Sequence, residues 1–141
     1  MAEQLYQAAI VETARRATGK GRLPAPDASA TLDNPLCGDR VTIDLALDGG
    51  RVTALGHDVR GCVLCEAAAS VIGAHAIGAT ADELRAAARS AASLLKDSAT
   101  QPAWPDLAMF APARPHRSRH RCVLLPFEAL EAALAKAAPK R

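Results

Sequence analysis

Four cysteines and one aspartate carry the chemistry open to this sequence of 141 residues. Cys62 and Cys65 stand in Gly61-Cys62-Val63-Leu64-Cys65-Glu66, where an extended segment gives way to an alanine-rich helix. Unpaired N–H groups at a helix start carry partial positive charge, which favours a thiolate, the form that attacks electrophiles and ligates metals. Gly61 clears room beside the first sulfur. Cys37 and Asp39 lie two positions apart in Asn34-Pro35-Leu36-Cys37-Gly38-Asp39. In an extended backbone such positions face one side and can address one centre. Cys122 follows a basic run of Arg114, His116, Arg117, Arg119, His120 and Arg121, which would stabilise a thiolate or dock an acidic partner. Plainer alternatives stand beside each: small cysteines pack in cores, Asn-Pro opens an Asx turn, and a charge run is a solvated face.

Taken together, Cys37, Asp39, Cys62 and Cys122 would supply a Cys3Asp set, suited to tetrahedral zinc or to an iron-sulfur cluster with incomplete protein ligation. Spacing alone does not choose between the two. A zinc ribbon would want a second Cys-x-x-Cys pair, and a thioredoxin-like pair would want a βαβ neighbourhood. A Cys62–Cys65 disulfide cycle stays open as a thiol-redox or adaptor reading. No Ser-His-Asp set or carboxylate pair stands out. Without a Gly-rich phosphate loop or interleaved aromatics, and with a formal net charge of only +2, nucleic acid is not an expected partner. No apolar run nears the roughly 18 residues of a membrane span, and the N-terminus lacks a secretory layout. The expectation is a cytoplasmic protein in a reducing compartment, where its cysteines serve as ligands or nucleophiles rather than disulfides.

The elements that must position these groups read as one domain over residues 1–141. Half the residues are apolar but only 3% are aromatic, which favours a core of closely packed Ala, Leu, Val and Ile. Residues 2–17 carry apolar positions at helical spacing (Leu5 or Tyr6, Ala9 or Ile10, Ala14), ended by Gly19 and Gly21. Leu23–Ala28 is a proline-containing linker, and Ser29–Asp33 a short strand. Val41, Ile43, Leu45 and Leu47 alternate with polar residues, Asp48-Gly49-Gly50 turns the chain, and Arg51–Arg60 returns, bent at Gly56. This hairpin carries the Cys62 sulfur back to the start of the outgoing strand, beside Cys37. His57 reads as a packed or solvated side chain. A largely buried helix follows from Cys62 to Gly78, Ile77 included in its apolar surface. Thr80-Ala81-Asp82-Glu83 is a capping box that opens another helix through Leu95. Asp97–Pro115 is irregular apart from a helical turn at Asp106–Phe110, anchored by Trp104 and Phe110. A last helix runs from Cys122 to Ala138 with Pro126 in its first turn, and Pro139-Lys140-Arg141 frays. Helices packed on a small antiparallel sheet make an α+β protein.

Asn34-Pro35-Leu36-Cys37-Gly38-Asp39, then Gly61-Cys62, then Arg121-Cys122-Val123-Leu124-Leu125 resembles the NifU-like, IscU/SufU-type family of iron-sulfur cluster assembly scaffolds, from Leu5-Tyr6 to the last helix. The resemblance implies a SufE/NifU-like fold with a three-stranded antiparallel sheet covered by helices. It implies that Cys37, Asp39, Cys62 and Cys122 hold a transient cluster or Zn2+. Intervals of 25 positions (62 − 37) and 60 positions (122 − 62) look like the SufU branch. There, sulfur arrives from a cysteine desulfurase, which makes Cys122 the expected persulfide acceptor and recipient apoproteins the expected destination. A sulfur carrier is implied more than an independent enzyme, with a zinc-dependent sulfurtransferase subunit as the alternative. The family's Asp-His and Pro-Arg-Asn-x-Gly segments are replaced by Glu12-Thr13 and Ala17-Thr18-Gly19-Lys20-Gly21, and with Leu-Pro-Pro-Val-Lys absent no dedicated Hsp70 chaperone is expected. Cys65 stands where serine is common and, with His120, is a possible auxiliary group.

Overall fold

The structure, a computed structural model, describes residues 2–36 and 38–137, with side chains from residue 8 onward. Cys37 and the Pro139–Arg141 tail lie outside the described residues, as do the side chains of Leu5 and Tyr6. Helix α1 spans Ala2–Arg16. Strands β1 (Ala28–Asn34), β2 (Asp39–Asp48) and β3 (Arg51–Arg60) form an antiparallel sheet in that order, with β2 central. Helices α2 (Val63–His75) and α3 (Ala81–Leu94), a 3-10 helix at Pro105–Ala113 and helix α4 (Arg117–Ala137) complete the chain. The expected sheet and helix cover are both present. Strand β1 is a residue longer at each end than Ser29–Asp33.

The period-two pattern of β2 sets its faces. Val41, Ile43 and Leu45 are fully buried beneath α4, and their partners on β3, the strand that α2 packs against, are Val59, His57 and Leu55. Gly49 and Gly50 both take positive φ (60° and 81°), the conformation a two-residue hairpin loop needs, and only glycine adopts it without strain. The expected bend at Gly56 is absent. Gly56 stays paired with Asp44, and its missing Cβ instead lets the Gly21 carbonyl pass over it. Residues 19–27 cross the sheet's other face as a strap. Gly21 N–H donates to the His57 carbonyl (2.8 Å), and Asp27 N–H donates to Leu45 (2.8 Å). At its centre Arg22 Nε meets Asp44 Oδ2 at 2.6 Å, with the Ser29 hydroxyl and Leu23 N–H also donating to that carboxylate. Asp44 therefore sits at 0% exposure on what reads as a polar face.

Three helical boundaries differ from the sequence expectation. Helix α1 stops because Ala17 takes φ 47°, before either glycine. Helix α2 ends at His75, leaving Ile77 64% exposed rather than in the core. The stretch expected to be irregular contains nine residues of 3-10 helix, with Leu107, Phe110 and Ala113 buried. Phe110 anchors it as expected, and Trp104 stacks on His75 (4.5 Å between ring centroids) while tilting against Phe127. The capping box at Thr80 is present, each partner bonding the other's backbone N–H.

His57 is a packed core histidine. It is 3% exposed, and Nε2 donates to the Thr18 carbonyl at 2.8 Å. Burial pushes it below its ordinary value of 6.5; the Thr18 carbonyl opposes that, and Lys20 adds to the depression. The folded state therefore binds this proton less readily than the unfolded chain. Stability from this group is complete above pH 6.5 and is lost as pH falls toward the depressed folded value. Urea unfolding from pH 7.5 downward should show wild type losing up to about 1.4 kcal/mol per pH unit more than His57→Gln. A constant difference between them would refute the buried neutral imidazole.

Candidate metal centre

Three elements end at one point. Asp39 opens β2 and ends its core-facing row, in line with Val41, Ile43 and Leu45. Strand β3 pairs Arg60 with Arg40, so one further step of the register sets Gly61 against Asp39. A Cβ on Gly61 would stand 2.9 Å from Asp39 Cγ. The glycine thus makes room for the carboxylate rather than for the Cys62 sulfur. Cys62 follows as the N-cap of α2, extended at φ −76° and ψ 173°, its carbonyl accepting from Glu66 N–H at 3.1 Å. Helix α4 packs on β1, β2 and α2 and brings in Cys122.

The ligand atoms of Asp39, Cys62 and Cys122 all lie within 4.8 Å of one another. Asp39 is 5% exposed, Cys122 half-buried and Cys62 exposed, so the site is deep at its oxygen and open at its first sulfur. Asp39 Oδ2 is buried with no hydrogen-bond partner among the described residues. An unmatched buried carboxylate oxygen costs on the order of 1–3 kcal/mol or more, and a cation would remove that cost. Around tetrahedral zinc at about 2.3 Å, neighbouring sulfurs sit about 3.8 Å apart, so this spacing needs little closure to grip a metal. Two sulfurs and a carboxylate fit zinc or a cluster iron, the pair of groups open at the sequence level.

Other expectations shift. Cys122 is not at a helix start: α4 begins at Arg117, placing Cys122 in its second turn and buried Pro126 well inside it. Pro126 has no N–H to offer the Cys122 carbonyl four residues back, so the local ladder is interrupted next to the thiol. The extended backbone invoked around Asp39 is interrupted on its N-terminal side, and Cys37 itself lies outside the described residues. Pro35, Leu36 and Gly38 form a turn, with Gly38 at φ 75° and Asn34 Oδ1 accepting from Leu36 N–H. Cys65 is fully buried among core side chains and His120 Nε2 bonds the Arg114 carbonyl at 2.9 Å. Neither joins the three-residue group.

The basic run divides by role. Arg114 donates to the Leu94 carbonyl at 2.9 Å and ties off α3, Arg121 pairs with Glu128 at 3.2 Å, and His116, Arg117 and Arg119 are exposed. Sequence reading overlooked Arg60, which the β2–β3 register places beside Arg40 at the rim of the site. Carried straight on from the hairpin turn, the register pairs Arg40 with Val59; an irregularity between Ala46 and Leu47 shifts it by one residue, which sequence alone did not signal.

Comparison with known proteins follows this geometry. The model of the NifU-like N terminal domain matches residues 5–137. Iron-sulfur cluster assembly scaffold protein IscU of Streptococcus pyogenes serotype M1 is 24% identical over 136 residues, covering 95% of this chain and 85% of its own. IscU of Thermotoga maritima is 23% identical over 135 residues, covering 95% of each. The crystal structure of a NifU-like protein (N-terminal) from Brucella abortus superposes with TM-score 0.89 at 38% identity over 96% of both chains. A SUF-system scaffold candidate from Fervidobacterium islandicum AW-1 shares the fold, with TM-score 0.82 at 22% identity over 89% of this chain and 93% of its own. Among the described residues no helix is long and apolar enough to cross a membrane. With the fold, the converging donors and these matches in agreement, the chain belongs to the NifU-like N-terminal domain family of iron-sulfur cluster assembly scaffolds.

Proposed function

We propose that this protein accepts sulfur from a cysteine desulfurase and carries a nascent cluster, its cargo, at Cys37, Asp39, Cys62 and Cys122, acting as one domain in the cytoplasm. The supporting observation is the meeting of Asp39, Cys62 and Cys122 within 4.8 Å around an unpartnered, buried Asp39 Oδ2. Cys37 enters as the fourth ligand from its place in the sequence, two positions before Asp39. Cys122 is the sulfur acceptor: its thiolate attacks the outer sulfur of the donor's persulfide, forming a new S–S bond. The donor's own S–S bond breaks, and its cysteine leaves as thiolate. Turning each transferred sulfur into sulfide takes two further electrons from an external thiol or electron-transfer reductant. Asp39 holds a hard oxygen against the cargo's iron while the cysteines supply soft donors. Release to recipient apoproteins completes a carrier's cycle rather than an independent enzyme's.

Anaerobic incubation with desulfurase, cysteine, dithiothreitol and ferrous iron should give visible cluster absorption that depends on the desulfurase. Its absence, with the desulfurase active, would refute the scaffold role. The same donor set suits resident zinc, which when bound would keep the thiolates deprotonated. Stable stoichiometric zinc, with desulfurase stimulation and no cluster, would select that reading.

A further inference from the structure

Cys62 is the N-cap of α2 and Cys65 the third residue of its first turn, the one exposed and the other fully buried. Helical geometry between them sets their Cα atoms about 5 Å apart and on one face. That lies inside the roughly 4.4–6.8 Å that a disulfide spans. An N-cap side chain folded over its helix reaches the backbone N–H of the third residue, which here is Cys65 itself. Cys62 makes no such cap hydrogen bond, so its sulfur is not tied to the helix mouth and a change of χ1 carries it from the metal centre toward Cys65. Burial keeps Cys65 away from solvent and from a partner's persulfide, so whatever its sulfur reacts with comes from within this chain. Cys62 in turn has its sulfur within 4.8 Å of the Cys122 sulfur. A path from Cys122 through Cys62 to Cys65 is laid out at the start of α2.

We propose that Cys62 and Cys65 form an internal dithiol that reduces the transferred sulfur to sulfide, with Cys65 as the resolving thiol. The proposal rests on the sulfur-accepting reading above and places the two electrons for that reduction inside the chain. Before iron is bound, the Cys62 thiolate attacks the outer sulfur of the Cys122 persulfide, and Cys122 leaves as thiolate. Cys65 then attacks the inner sulfur of the Cys62 persulfide. A Cys62–Cys65 bond forms, the sulfur–sulfur bond of the persulfide breaks, and the outer sulfur departs as hydrosulfide with the Cys65 proton. The two thiols give up two electrons and the departing sulfur gains them. An external dithiol then reduces the pair by exchange, and Cys62 becomes a ligand again.

For the test, the full chain without added iron is loaded with sulfur anaerobically in two ways, by a cysteine desulfurase with cysteine and by inorganic polysulfide. It is then desalted and left without reductant, sulfide is quantified, and thiols are mapped in tryptic peptides. Peptide 61–85 carries both Cys62 and Cys65, and peptide 122–136 carries Cys122. Wild type should release about one sulfide per persulfide while peptide 61–85 loses two hydrogens. Cys65→Ala and Cys65→Ser should keep their persulfide, releasing sulfide at least about tenfold more slowly, with metal binding as in wild type. Undiminished release from both variants overturns the dithiol. So does a disulfide that joins peptide 61–85 to peptide 122–136 in place of one within it. The wild-type map decides the matter even where neither variant folds. Persulfide that persists in wild type overturns the dithiol and leaves sulfur acceptance intact. If active desulfurase puts no persulfide on the chain while polysulfide-loaded wild type still closes the Cys62–Cys65 bond, the sulfur-accepting reading fails and the dithiol chemistry stands.

Discussion

Cys122→Ser is expected to give a folded protein that accumulates no stable cluster and binds metal more weakly, on the order of 100-fold or more. The effect on folding is small because Cys122 is half-buried in the second turn of α4, where serine has nearly the same shape. Serine oxygen is a hard, weakly acidic donor and does not replace thiolate. Cys65→Ser should do the reverse. Its sulfur is fully buried in the core, so a hydroxyl there costs about 1–3 kcal/mol while the ligand group is untouched. Anaerobic metal analysis paired with urea unfolding distinguishes them. Metal loss from Cys65→Ser, with retention in Cys122→Ser, would exchange the roles assigned here.

Arg22→Met is expected to destabilise the fold by about 2–3 kcal/mol at pH 7. Arg22 itself is half exposed, but its partner Asp44 is completely buried, so removing the guanidinium strands a carboxylate in the strap. The Ser29 hydroxyl and Leu23 N–H remain, which keeps the cost below that of a wholly uncompensated charge. Burial alone would raise the Asp44 carboxyl, but Arg22, Ser29 and Leu23 outweigh it and hold the group below its ordinary 3.8. In wild type that contribution is present above pH 3.8 and disappears as pH falls through the lower folded value. Urea midpoints should therefore differ most near neutrality and converge in acid. A difference independent of pH would mean that Arg22 acts by packing alone.

The hairpin was legible because alternation in Val41–Leu47 and the glycine pair at 49–50 are local signals, and its closure by itself brings Cys62 back toward Asp39. The capping box at Thr80 was legible for the same reason. The start of α4 was not: Arg117–Arg121 is mostly exposed, and a helical turn without an apolar face looks like a charge run. Asp44 read as an ordinary polar-face residue because nothing in β2 reveals that residues 19–27 cover it. Gly56 read as a bend because the carbonyl that needs its space comes from Gly21, far away in sequence. Local periodicity thus specified the arms of the candidate site, while long-range packing decided which atoms meet.

Metal K-edge X-ray absorption on anaerobically loaded protein addresses the ligand set most directly. The predicted coordination sphere has three sulfurs and one oxygen from the protein, with one sulfur fewer in Cys122→Ser and in Cys62→Ser. A sulfur count unchanged by either substitution would contradict a metal centre at Asp39, Cys62 and Cys122.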